Sequence, residues 1–140
     1  MPSSPRPIAT TGALGSRPTE QLQLSLRAAA KLGTHCVPVL SGGFAWHLGY
    51  PWPQRPAGLV DEAFRELARR WRPLLDLAAE LGLTIGFELH PGSDLFDGCT
   101  FERFLAEVGD HPAACLNYDP SHLLLQQLDY LAFIRLYGSR

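Results

Sequence analysis

Cysteine is scarce in this 140-residue chain: Cys36, Cys99 and Cys115 are odd in number, widely spaced and never in a CxxC pair. Neither a disulfide framework nor a zinc-thiolate site is therefore expected. Cys36 and Cys115 sit in apolar, strand-like runs, where a free thiol reads as a small packed hydrophobe. Excess charge is lacking too, with 12 basic against 14 acidic side chains and a net charge of -2. Lys31 is the single lysine, and the arginines are dispersed except for Arg69, Arg70 and Arg72, which share a helical stretch and read as a solvated face. That balance argues against a nucleic-acid grip. No run reaches the roughly 18 apolar residues needed to cross a bilayer. The opening residues 1–7, rich in proline and serine, lack the apolar stretch of a signal peptide, so a cytoplasmic protein is expected. What the chain does have is 46% hydrophobic residues, enough for a core, and no internal repeat.

Periodicity divides the chain into alternating helices and strands. Residues 1–15 carry no apolar period and read as a flexible N-terminal tail, leaving 16–140 as the folded domain. A first helix follows, capped by Ser16 or Thr19, with Leu22, Leu26 and Ala29 at helical spacing and Gly33 as its stop. Residues 35–40 read as a short buried strand. Residues 41–58 form a long connection loaded with glycine, proline and aromatics, including Phe44, Trp46, Tyr50 and Trp52, and loops of that length in compact domains are usually functional. Residues 59–81 give the longest helical stripe, with Pro73 inside it and Gly82 as the stop. Strands at 83–89 and 113–118, a helix at 100–108 and a helical stretch in two pieces at 120–137 complete the pattern. Strands apolar throughout and alternating with helices indicate parallel α/β construction.

Two strand ends carry acid. Side chains alternate along a strand, so Glu88 shares a face with Thr84 and Gly86, while Ile85, Phe87 and Leu89 turn toward helices. Asn117 and Asp119 share a face in the same way, and Pro120, Ser121 and His122 follow at once. Each acid has a plainer reading, Glu88 as an exposed strand end in a salt bridge and Asp119 as the cap of the next helix. Two acidic strand ends with imidazoles nearby favour a cation site, its oxygen ligands suiting Mg²⁺ or Mn²⁺ and histidine widening the choice to cobalt or zinc.

Glu88-Leu89-His90-Pro91-Gly92, Asp94-Leu95-Phe96-Asp97-Gly98 and Asn117-Tyr118-Asp119-Pro120-Ser121-His122 resemble the sugar phosphate isomerase/epimerase branch of the xylose isomerase-like TIM barrels, in the AP endonuclease superfamily. Ser41-Gly42, Tyr50-Pro51-Trp52-Pro53 and Trp71-Arg72-Pro73-Leu74 fit the same branch, so the resemblance runs from about residue 12 onward. It implies that Glu88 and Asp119 are ligands of a divalent metal, Mn²⁺, Mg²⁺ or Co²⁺ ahead of Zn²⁺, and that His122 touches substrate or, in DNA-repair relatives, a metal. Glu88 is also the candidate base, and His122, His90, His47, Trp46 and Trp52 are the candidate contacts for a sugar or sugar phosphate.

A complete (β/α)₈ barrel takes about 250 residues, and three strands cannot close one. The family pattern continues with a further histidine ligand and a second catalytic glutamate, which these 140 residues do not include. The expectation is a partial TIM barrel with parallel strands, incomplete at both ends, weakly active or inactive by itself, and prone to self-association through open strand edges. Val37, Val39, Gly86 and Cys115 are expected on the face that loses its cover. A non-catalytic remnant that associates through those edges is the alternative, and a DNA-repair endonuclease, which needs a three-metal cluster and a basic groove, fits less well.

Overall fold

The computed structural model describes residues 16–46 and 56–140. The tail at 1–15, His47 and Trp52 thus lie outside the described residues. The described elements are α1 (Ser16–Leu32), β1 (Cys36–Val39), α2 (Leu59–Glu80), β2 (Thr84–Glu88), α3 (Gly98–Glu107), β3 (Ala114–Asn117), α4 (Pro120–Leu125) and α5 (Tyr130–Tyr137). Ser16 is already the first helical residue of α1 and Thr19 lies within it, so neither occupies the capping position expected of it. Among the described residues no helix is long and apolar enough to cross a membrane.

The long helix forms because its apolar residues fall on one stripe: Ala63, Phe64, Leu67, Ala68, Trp71, Leu74, Leu75 and Ala78 are all buried. Asp61 and Glu62 in the first turn complement the helix dipole, and the helix runs on through Pro73. It stops at Gly82, whose φ of 71° is open to glycine at little cost. Gly82 N donates to the Ala79 carbonyl and Leu83 N to that of Ala78, the paired bonds of a Schellman motif. Gly33 and Gly109 end α1 and α3 by the same device.

The three strands are parallel in the order β1-β2-β3. Each is shorter than its apolar run by a residue at either end. Ile85 and Phe87 are fully buried under α2 and α3, where Phe87 meets Trp71 edge-on at 4.8 Å and Phe104 at 5.2 Å. Register then assigns the faces. Val37 pairs with Ile85 and Val39 with Phe87, so both valines pack on the helical core and do not line the open face. That face carries Cys36, Pro38, Gly86 and Cys115, and Cys36 on it is exposed, contrary to a packed thiol. Arg70 also departs from the solvated-face reading: its side chain is largely buried, hydrogen-bonded to Glu66, with its guanidinium over the Phe44 ring.

Candidate metal and substrate site

The open face ends in a cluster of polar side chains at the C-terminal edge of β2 and β3. Glu88 is the last residue of β2 and stands in register with Asn117, the last of β3. Asn117 Nδ2 donates to Glu88 Oε2 at 3.1 Å. Two residues on, Asp119 caps α4, its Oδ1 accepting from Ser121 N at 2.8 Å, and Pro120 occupies the first helical position, where its missing N–H costs nothing. That first turn swings His122 back over the strand ends. His122 Nε2 lies 3.1 Å from Glu88 Oε1 and 3.4 Å from Asp119 Oδ2.

Asp119 therefore realises its capping reading with one oxygen, while the other faces His122. The Ser121 hydroxyl and N–H hold its carboxyl below the usual aspartate range, and the nearby imidazoles add to this, so the group stays anionic. Glu88 is likewise half-buried and hydrogen-bonded, not an exposed strand end. Glu88, Asp119 and His122 each offer one ligand atom, all within 4.8 Å of one another. Two ligands about 2.1 Å from one ion lie up to about 4.2 Å apart, so slight closure suffices for a shared cation.

His90 joins the group from the β2 end, its ring 4.3 Å from that of His122. His90 Nδ1 is 2.6 Å from the Pro91 carbonyl, which only accepts, so this nitrogen carries a proton. Trp46 is 42% exposed and edge-on to Phe96 at 5.2 Å. Gln126 Nε2 donates both to the Phe96 carbonyl and to that of His122, which ties Phe96 to α4.

Two residues escaped the sequence reading. Asn117 orients Glu88, and its strand parity with Asp119 was the available signal. Asp94 is buried and accepts from the backbone of residues 44–46, some 50 positions earlier, for which no local signal exists.

The profile of the xylose isomerase-like TIM barrel family matches residues 7–140. The chain belongs to that family. Its fold is similar to that of 3-keto-D-glucoside 4-epimerase from E. coli in the apo form, with a TM-score of 0.66 and 20% identity over 86% of this chain and 46% of that one. The chain thus spans about half the length of that structure. No curated protein matches it in sequence. In TIM barrels the C-terminal ends of the strands form the active face, and this xylose isomerase-like chain places Glu88, Asn117 and Asp119 there.

Proposed function

We propose that Glu88, Asp119 and His122 form the metal and substrate end of a sugar or sugar phosphate isomerase or epimerase site. The observation that carries this reading is the convergence of two carboxylates and an imidazole within 4.8 Å at adjacent strand ends. Family membership supports the chemistry, and the structural neighbour, which by its name acts on a keto sugar, supports the substrate class without naming the substrate.

The donor set fits a divalent cation held by Glu88 and Asp119, with Mn²⁺, Mg²⁺ or Co²⁺ ahead of Zn²⁺ because carboxylate oxygens dominate. When bound, such a cation would polarise a substrate carbonyl and hold the neighbouring hydroxyl. Glu88 is the base for the carbon next to that carbonyl. Asn117 and His122 each hold one of its oxygens, so the carboxylate is oriented before substrate arrives. His122 donates from Nε2 toward the anionic oxygens or a sugar hydroxyl, and His90, with Nδ1 on the Pro91 carbonyl, leaves Nε2 to another hydroxyl.

Calorimetric titration with Mn²⁺ tests the site. Wild type should bind, and a Glu88→Gln, Asp119→Asn double variant should bind at least tenfold more weakly. Equal binding by the two would overturn the reading.

A second reading has support from one observation, a run of exposed apolar side chains on α4, α5 and the turn between them: Leu124, Leu125, Leu128, Leu131 and Leu136. In that reading the chain is a binding module that associates through this surface and the open sheet face. Association without Mn²⁺ binding would favour it.

A further inference from the structure

One buried carboxylate joins the loop after β1 to the loop after β2. Asp94 is 2% exposed and accepts from three consecutive backbone N–H groups, Phe44 N at 3.0 Å on Oδ2 and Ala45 N and Trp46 N at 2.5 and 3.0 Å on Oδ1. The same seam is closed by Asp94 N donating to the Gly42 carbonyl at 2.6 Å and by Leu95 N donating to Ser41 Oγ at 2.9 Å. The backbones approach so closely that a Cβ on Gly43 would stand 3.2 Å from the Gly92 carbonyl oxygen.

A carboxylate withdrawn from water is costly unless hydrogen bonds compensate, and bonds from N–H groups to an anion are the strong kind. Three of them converge on a stretch of three residues, which fixes that backbone far more firmly than an exposed loop is usually fixed. Trp46 is one of the residues so held. Its indole is 42% exposed and packs edge-on against Phe96, whose carbonyl shares the Gln126 side-chain amide with that of His122. The apolar face of a sugar needs a flat partner held in one orientation, because an aromatic ring that must be ordered on binding gives part of the contact energy back as entropy.

We propose that Asp94 is a positioning residue that fixes Trp46 as the aromatic wall of the sugar site. This rests on the reading of Glu88, Asp119 and His122 as that site. Asp94→Asn is the discriminating change, since it keeps the shape but turns one acceptor into an N–H₂ donor facing a backbone N–H.

The full chain labelled with 5-fluorotryptophan, its Trp46 resonance assigned through Trp46→Phe, is titrated with Mg²⁺ and D-fructose, D-xylulose or D-fructose 6-phosphate, and binding is measured in parallel by calorimetry. In wild type a ketose should move the Trp46 fluorine resonance, and the amides of residues 44–46 should exchange at least tenfold more slowly than free backbone. Asp94→Asn should shift the Trp46 resonance, leave that of the core residue Trp71 in place and weaken the ketose response about tenfold. An unmoved Trp46 resonance in Asp94→Asn overturns the inference, as does rapid exchange of the three amides in wild type, which needs no variant to fold. Ketose binding that calorimetry detects and Glu88→Gln abolishes, with a Trp46 resonance that ignores it, overturns the inference and leaves the site reading standing. No ketose response in either measurement overturns both.

Discussion

Replacing Phe87 by alanine should remove a large part of the stability of the chain. Its ring is fully buried between α2 and α3, meets Trp71 and Phe104 edge-on, and lies one residue from Glu88. Phe→Ala in a core costs about 3–5 kcal/mol, through lost transfer energy and the cavity left behind. The upper half of that range is expected here, since two aromatic contacts, each worth about 0.5–1.5 kcal/mol beyond area, vanish together. Against a typical total of about 5–15 kcal/mol, this takes the chain close to unfolding at room temperature or well toward it. Urea unfolding followed by far-UV circular dichroism measures the loss. At a slope of about 2 kcal/mol per molar urea, a 4 kcal/mol change moves the midpoint down by about 2 M. Leu125→Ala is the control, because Leu125 is 77% exposed and its truncation should stay within about 0.5 kcal/mol. A Phe87→Ala midpoint within about 0.5 M of wild type would refute the assignment of Phe87 to the centre of the core.

Three further outcomes are expected. The side-chain bonds from Arg69, with those from Arg70, hold the Glu66 carboxyl down at about 2 against an ordinary 4.5, despite opposing burial. A depressed folded-state value stabilises the fold fully above pH 4.5 and loses that contribution as pH falls toward 2, so Glu66→Gln should flatten stability across this window by about 1 kcal/mol, as suits a partly exposed pair; an unchanged acid profile would refute the coupling. Burial, and then the neighbouring Cys36, push the Cys115 thiol up, so maleimide at neutral pH should label the exposed Cys36 before Cys115, and equal rates in peptide mass spectrometry would contradict this. The exposed leucines of α4 and α5 should make association rise with concentration in sedimentation equilibrium, where a monomer across the whole range would speak against the surface being sticky.

The helices and the faces of β2 were legible in the sequence because each carries its own period, 3.6 in α2 and two in the run from Thr84 to Glu88. The split between α4 and α5 was legible as well, with Asp129 at the start of α5 accepting from Leu131 N and Ala132 N. The orientation of β1 was not. Cys36, Val37, Pro38 and Val39 are apolar at every position, so nothing within the strand distinguishes its faces, and only the register with β2 does. The site divides along the same line. The clustering of Glu88, Asp119 and His122 was legible because charge at an apolar strand end is conspicuous and the motif is compact. Asn117 carries no charge, and Asp94 acts on backbone groups that become its neighbours only when two loops meet.

The division of labour within the Asp119 carboxylate bears on how such a chain would change if its chemistry fell out of use. Oδ1 keeps an aspartate valuable to α4 whether or not a cation is ever bound, since losing a helix cap costs about 1 kcal/mol. Selection for folding alone would therefore retain this residue in an idle descendant. Glu88 starts no helix and closes no turn, and among the described residues its side chain bonds to Asn117 and His122. Under the proposed role of Glu88, comparing related chains at the end of β2, and not at the helix cap, would separate working sites from inherited scaffolds.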